Sequence, residues 1–280
     1  NLVPPAVRNR ASDLNEKLKL LICESSKKNC DCNLDKIDLK LFATSFNTWL
    51  TDANDATKLA VLEWVQLLFD TIYDRFSEYV PLLFNTLLDI TRSESLKVVE
   101  SSLKMLCIIC TSTNSSEKYN PSFEVFLTGI LTNLCKNKFM QFLSQGPFII
   151  NYICKYLDPI DVYFKLSKIT LNLFNKEESR TIVENLNIIM LTSKETRGLR
   201  NFLIHEEDKK KYNVFKTIFY CWGLNPVSAL SLSLLSGYYE LSSELVNQFQ
   251  HLEPSIQSLM QFDHLIQLLE SPTFTCNLIS

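Results

Sequence analysis

The cysteines are the residues whose spacing comes nearest to a chemical motif. Cys107 and Cys110 have the C-x-x-C spacing of a redox disulfide or of half a zinc site. They lie in the apolar segment 104–113, however, and no second C-x-x-C or H-x-x-C completes a set of four zinc ligands. We therefore interpret both residues as reduced thiols that fill a hydrophobic core.

A second group consists of Cys23, Cys30 and Cys32. Cys23 directly precedes the polar segment ESSKKNCDCN at 24–33, and the other two cysteines lie within it. Three thiols on a surface loop could hold a metal adventitiously, but their spacing matches no structural zinc site. We predict neither a metal nor a cofactor. The total of nine cysteines is odd and no secretory signal is visible, so we expect reduced thiols and a cytosolic protein.

Histidines are scarce, and no catalytic motif accompanies them. His205, His251 and His264 are the three in the chain, none at an H-E-x-x-H spacing, and we interpret them as surface residues. The chain also lacks a P-loop, a G-x-G-x-x-G and a G-x-S-x-G motif. Catalytic triads converge only in space, so a cysteine- or metal-dependent enzyme stays an alternative. The prediction is that the chain is not an enzyme.

The charge balance argues against nucleic acid as a partner. With 28 basic and 31 acidic residues the net charge is −3, whereas nucleic-acid binding requires a strongly basic face. The run Lys209–Lys211 directly follows Glu206–Asp208. We interpret this mixed stretch as a solvated loop or helix start, with lipid-headgroup binding as the alternative.

The longest uncharged stretch, 217–239, is not predicted to span a membrane. It contains Gly223, Asn225, Pro226 and Gly237, which interrupt any single apolar helix. We expect two buried helices with a break between them. Because the chain begins with Asn1 rather than Met, we also expect it to be a piece of a longer protein.

The spacing of hydrophobic residues predicts helices throughout. Apolar residues recur at intervals of three and four, as in the series Leu59, Leu62, Val65, Phe69 and Ile72. Leu59 and Leu96 open equivalent first helices 37 residues apart, and only five glycines are available for turns. We predict an all-α fold, an α-solenoid of HEAT- or armadillo-like helical hairpins, with a compact helical bundle as the alternative.

The predicted organisation has two parts. Residues 1–54 form an irregular N-terminal segment with one or two helices and a polar loop near 24–33, and residues 55–280 form the helical repeat domain. Prolines mark helix starts, since a proline in the first turn loses no hydrogen bond. The predicted starts are Asn120-Pro121, Gly146-Pro147, Asp158-Pro159, Asn225-Pro226 and Glu253-Pro254.

Aromatic residues are concentrated near the C-terminal third, in 212–222 and at 238–239. Aromatic side chains dominate the energetics of protein interfaces, so we choose Phe219, Trp222, Tyr238 and Tyr239 as candidate partner-binding residues. The alternative is that these side chains fill the core between helices.

Four stretches together resemble a known family. They are GPFIINYIC (146–154), LNIIMLTSKETRGLR (186–200), IFYCWGLNPVSALSLSLLSGYYELSSELVNQF (218–249) and DHLIQLLESPTFT (263–275). In this order they resemble the C-terminal region of the vacuole-morphology HEAT-repeat scaffold, the associated regulator of PIKfyve. The resemblance covers roughly residues 55–280. The family's usual tail after the S-P-x-F-T block differs at Cys276–Ser280, and residues 1–54 match nothing known to us.

The most specific parts of the resemblance are W-x-x-N-P at 222–226 and S-P-x-F-T at 271–275. The residues taken as the structural signature are Gly146, Pro147, Gly223, Asn225, Pro226, Ser271 and Pro272. Asn225 is expected to cap the helix that Pro226 begins, Gly223 to allow the turn before it, and Ser271-Pro272 to end one helix and open the next.

The resemblance implies a non-enzymatic scaffold on the cytosolic face of vacuolar or late endosomal membranes. It would self-associate and hold a FYVE-type phosphatidylinositol 3-phosphate 5-kinase together with the opposing Sac-domain 5-phosphatase, and so regulate the synthesis and turnover of phosphatidylinositol 3,5-bisphosphate. The C-terminal region would serve self-association and phosphatase binding. A generic HEAT-repeat adaptor for other assemblies is the alternative.

The predicted cap supplies a first test. We expect Asn225→Ala to lower the free energy of unfolding by about 1 kcal/mol, because the first turn of the helix loses its hydrogen-bond acceptor. Denaturant unfolding of the variant beside the wild-type chain measures the change. An unchanged midpoint and slope would contradict the assignment of Asn225 as a cap.

Overall fold

The computed structural model describes residues 4–27, 38–52, 54–111, 123–136, 140–205, 209–249 and 256–270. Within these ranges the regular elements are helices, with no strand among them, so the all-α prediction is confirmed. Residues 1–126 and 127–280 form two compact units. The elements of the first are α1 (Pro5–Lys27), α2 (Leu39–Asp52), α3 (Asp55–Thr71), α4 (Tyr73–Phe76), a 3-10 turn (Ser77–Tyr79), α5 (Val80–Ile90) and α6 (Leu96–Thr111).

Two stacked helical hairpins make up most of the first unit. Helices α2 and α3 pair with each other, as do α5 and α6, while α2 packs on α5 and α3 packs on α6. The pattern of first helix on first helix and second on second is the one that a HEAT-like repeat produces. Leu59 and Leu96 therefore do occupy equivalent helices, which are the second rather than the predicted first members of their hairpins.

The N-terminal segment is more regular than expected. Helix α1 extends through Lys27, so residues 24–27 of the predicted polar loop are helical, and residues 28–33 lie outside the described part. Two side-chain contacts join α1 to α3. The Nζ atom of Lys19 lies 2.7 Å from the Oε2 atom of Glu63, and Trp64 donates its indole N–H to the side-chain oxygen of Asn15 at 2.8 Å. The predicted division at 54/55 falls inside the first unit and stays a prediction.

Helix α7 (Phe123–Cys135) spans the division, and the second unit continues with eight further described helices. They are α8 (Met140–Tyr156), α9 (Pro159–Leu173), α10 (Lys176–Thr192), α11 (Arg197–His205), α12 (Lys209–Trp222), α13 (Pro226–Leu235), α14 (Tyr239–Phe249) and α15 (Ile256–Glu270). Here α9 packs on α12 and α10 packs on α13, so corresponding helices of successive hairpins pack on each other as they do in the first unit. Helix α13 also contacts α14 and α15. Among the described residues, no helix is both long and apolar enough to cross a membrane.

The proline rule succeeds at two of the predicted helix starts and fails at a third. Asp158 caps α9 and Asn225 caps α13, each followed by proline in the first turn. The prediction for Gly146-Pro147 is wrong, because Pro147 lies inside α8. The buried face of α8, with Phe142, Ile149 and Ile153, is continuous across the proline, so packing maintains the helix. Asn120-Pro121, Glu253-Pro254 and Ser271-Pro272 lie outside the described residues.

The glycines after α12 and α13 have different roles. Gly223 lies in the turn before α13, as expected, but its φ is not in the left-handed region. Gly237, with φ of 77°, ends α13 instead. Its N–H donates to the Leu234 carbonyl at 3.2 Å and that of Tyr238 donates to the Ser233 carbonyl at 3.0 Å, which together form a Schellman motif.

This difference predicts unequal effects of alanine at the two glycines. Gly237→Ala should lower the free energy of unfolding by about 1 kcal/mol, because alanine is strained at positive φ. Gly223→Ala is the matched control, and it should change the free energy of unfolding by less than about 0.5 kcal/mol. Denaturant midpoints of the two variants test the ranking, and an equal or reversed effect would contradict it.

Candidate interaction surface of the second unit

The second unit is organised around a buried polar contact between three helices. Asn187 of α10 accepts the indole N–H of Trp222 at 3.0 Å and the hydroxyl of Ser231 at 2.9 Å. Trp222 and Ser231 are both fully buried, and Asn187 is 7% exposed. The Ser231 hydroxyl also lies 2.8 Å from the Ser228 carbonyl of its own helix, whereas the Trp222 indole N–H has Asn187 as its acceptor. Because a buried donor without an acceptor is costly, Asn187 fixes how α12 lies on α10.

The burial of Trp222 agrees with the alternative interpretation, in which its side chain fills the core between helices. The side chain is in the core, where its ring centroid lies 6.3 Å from that of Tyr163. Phe219 and Tyr238 are half-buried, and both flank Phe215 at centroid distances of 5.4 and 4.2 Å. Tyr239 is 62% exposed. Of the four predicted partner-binding residues, Tyr239 alone is largely exposed to solvent.

An exposed face of α12 complements this core. Because Phe215, Ile218 and Trp222 point inward, the helical period turns Lys209, Tyr212, Lys216 and Tyr220 outward. Tyr212 and Tyr220 are 58% and 63% exposed, and the Lys216 ammonium lies 5.8 Å from the Tyr220 ring centroid. Helix α12 contains no Asp or Glu. We call these four outward residues the lysine–tyrosine face.

The sequence contains a signal for this face in the helical phase of its aromatic residues. Both tyrosines fall in the aromatic stretch 212–222, and their phase opposite Ile218 and Trp222 would have separated outward from inward rings. Lys209 begins α12, which agrees with a helix start at the lysine run, whereas Lys211 is buried and donates to the Ile204 carbonyl at 3.4 Å. Of the histidines, His205 is exposed as expected, while His251 and the side chain of His264 lie outside the described part.

Asn225 connects the turn after α12 to the end of the unit. Its side-chain oxygen accepts the Ser228 N–H at 3.0 Å, which confirms the predicted cap of α13. Its amide group donates to the Gln261 side chain of α15 at 3.2 Å, and the residue is fully buried. Beside it, α10, α13 and α15 enclose a cavity of about 490 Å³ that opens to solvent. Asn225 is therefore both a cap and a contact between helices.

Arg200, in the ETRGLR block, stabilises the end of α10. One guanidinium nitrogen, Nη1, donates to the Met190 and Ser193 carbonyls at 2.7 and 2.6 Å and to the Thr196 hydroxyl at 2.8 Å. Met190 lies in the last turn of α10 and Ser193 is the cap residue after it, so these carbonyls have no partner within the helix itself. Burial lowers the pKa of Arg200, yet its hydrogen bonds hold it in a structural role.

Five of the six thiols in the described part lie in or against the core, whereas Cys23 is partly exposed on α1. Burial raises the pKa of Cys110, Cys135, Cys154 and Cys221 to about 12. Cys107 is 1% exposed. Cys30 and Cys32 lie outside the described residues, and within those residues no three His, Cys, Asp or Glu side chains form a metal-binding group.

Comparison with known proteins places the second unit in a family. Residues 140–278 match the family model described as vacuolar protein 14 C-terminal Fig4p binding. The chain is 31% identical to the VAC14 homolog of Schizosaccharomyces pombe over 96% of its own length and 33% of that protein. It is 30% identical to vacuole morphology and inheritance protein 14 of Saccharomyces cerevisiae over 80% of its own length and 24% of that protein. It is 26% identical to the VAC14 homolog of Arabidopsis thaliana over 96% of its own length and 34% of that protein. The chain thus spans a quarter to a third of these relatives, and no solved structure matches it.

The raised thiol pKa values predict slow alkylation and a pH dependence of stability. A neutral thiol favours the fold, so the contribution of these groups is full below their ordinary pKa of 9.0 and is lost as the pH rises toward 12. At pH 8, iodoacetamide should label Cys110, Cys154 and Cys221 at least tenfold more slowly in the native chain than in guanidinium. Mass spectrometry of the tryptic peptides measures this, and fast native labelling of one of them would contradict its place in the core.

Proposed function

We propose that this chain, which belongs through residues 140–278 to the family of vacuolar protein 14 C-terminal Fig4p-binding regions, is a scaffold for a Sac-domain phosphoinositide 5-phosphatase. The family description names binding and no reaction, in agreement with the prediction that the chain is not an enzyme. The match begins at the first residue of α8 and stays inside the second unit. That unit is therefore where we place the phosphatase-binding surface.

The observation that carries the proposal is an unpartnered face within the matched region. The lysine–tyrosine face lies on α12, and its tyrosines offer rigid rings with hydroxyl groups, the side chains that interfaces favour. Its two lysines have no carboxylate partner among the described residues, so an acidic surface on the phosphatase would complement them. Exposed Tyr239, which opens the neighbouring helix α14, extends the candidate interface.

The larger assembly is also part of the proposal. We place a FYVE-type phosphatidylinositol 3-phosphate 5-kinase and further copies of this chain beside the phosphatase, as the resemblance to the scaffold family implies. Holding opposed enzymes together raises the effective concentration of each at one membrane. One relative is named for vacuole morphology, which supports a peripheral location on vacuolar or late endosomal membranes through these partners. Phosphatidylinositol 3,5-bisphosphate synthesis and turnover would then be regulated together.

The lysine–tyrosine face supplies the test against a generic helical adaptor. We expect the double variant Tyr212→Ala/Tyr220→Ala to weaken binding to the purified Sac-domain phosphatase at least tenfold, since it removes both aromatic anchors. Calorimetry or light scattering with the purified pair measures the affinity. Tyr156→Ala, which removes a 41% exposed tyrosine of α8, is the control and should bind normally.

A second variant separates charge from ring contacts. Lys216→Glu should weaken the same complex, and the loss should shrink as salt screens the new repulsion. Wild-type affinity in both variants, with unchanged helicity, would contradict the assignment of this face. A chain that shows no affinity for the phosphatase even as wild type would contradict the proposed function itself.

A further inference from the structure

The charged groups that line the cavity beside Asn225 are all acidic. Helix α10 contributes Glu184, Asn187, Ile188 and Leu191 along one face, and α15 contributes Met260, Gln261 and Asp263 opposite them. Two carboxylates line it and no lysine, arginine or histidine does. Within the described residues neither carboxylate takes part in an ion pair. The cavity therefore favours a positively charged occupant.

One amide donor in the wall of the cavity lacks an acceptor. The Nε2 group of Gln261 is buried without a hydrogen-bond partner in the described structure, while the Gln261 oxygen accepts from Asn225 at 3.2 Å. Asn187 also lines the cavity, and its side-chain oxygen accepts from Trp222 and Ser231. An unpaired buried amide donor is energetically unfavourable. An occupant with carbonyl oxygens would recover that energy.

The remaining wall is apolar and partly open. Leu191 is buried at 4% exposure, Ile188 is 37% exposed and Met260 is 67% exposed. Met260 adds an unbranched, adaptable side chain of the kind that adjusts to a bound peptide. The volume of about 490 Å³ falls within the range of ligand-binding clefts. Covering these side chains would remove apolar surface from water.

We propose that this cavity is a docking groove for an extended segment of a partner protein that carries a lysine or arginine next to an apolar side chain. The cation pairs with Glu184 and Asp263, backbone carbonyls of the segment accept from Gln261 and Asn187, and the apolar side chain covers Ile188 and Met260. A phosphate or phosphoinositide headgroup has the wrong sign of charge for the two carboxylates. The groove is distinct from the lysine–tyrosine face, so the proposal does not depend on the phosphatase being its partner.

The test uses methionine methyl groups as local probes. The chain, labelled with ¹³C-methyl methionine, is titrated with the peptide acetyl-Gly-Lys-Leu-Lys-Leu-Lys-Gly-amide and with its counterpart that has glutamate in place of each lysine. We expect the lysine peptide to shift the Met260 methyl resonance saturably, while that of Met105, buried in the first unit, stays in place. The glutamate peptide should bind at least tenfold more weakly. Met260→Leu assigns the resonance.

Matched charge variants decide where the peptide binds. Glu184→Gln/Asp263→Asn removes both carboxylates of the groove with little change of shape, and we expect it to weaken the lysine peptide at least tenfold. Asp161→Asn/Glu177→Gln removes two exposed carboxylates elsewhere in the same unit and should bind like the wild type. Equal affinities for both double variants, a glutamate peptide that binds as tightly, inorganic phosphate that shifts Met260, or a Met260 resonance that does not move would each overturn the proposal.

Discussion

The side chain of Asn187 is the constraint on which the second unit depends. It is a polar group in an apolar interior, and it meets the needs of two other buried groups, Trp222 and Ser231, with one oxygen. Sliding α12 along α10 would leave the Trp222 indole N–H unpaired in a medium that cannot supply water, at a cost of about 1–3 kcal/mol, whereas the Ser231 hydroxyl can still donate to the Ser228 carbonyl of its own helix. Apolar packing alone tolerates such shifts, whereas the hydrogen bond from Trp222 favours one arrangement of α12 on α10.

The outer surfaces follow from that arrangement. Once Trp222 and Ile218 point inward, the period of the helix obliges Tyr212, Lys216 and Tyr220 to face solvent. Once α13 starts at a buried Asn225, the amide of that residue reaches Gln261 and sets one wall of the cavity beside α10. One basic, aromatic face and one acidic groove thus arise within a single unit, with opposite charge preferences for whatever binds to them.

The same architecture explains why the chain suits binding rather than catalysis. Within the described residues, the buried thiols and Arg200 serve the interior: burial raises the thiol pKa values, and the Arg200 guanidinium donates to carbonyls at a helix end. A stack of short hairpins instead offers extended, rigid surfaces whose residues do not compete with one another for partners. Tethering several proteins to such surfaces changes reaction rates through local concentration alone.

Local physics accounts for what could be predicted without coordinates. The three-and-four spacing of apolar residues predicted the helices, and the caps at Asp158 and Asn225 followed from side chains that bond their own neighbours within three residues. Distant contacts decided the rest. Pro147 stays inside α8 because a buried face continues past it, and α1 is longer than its polar end predicted. The depth of Trp222 and the groove at Gln261 arise where residues 35 or more positions apart meet. Asn187 meets Trp222 and Asn225 meets Gln261, and no short window of sequence contains both partners.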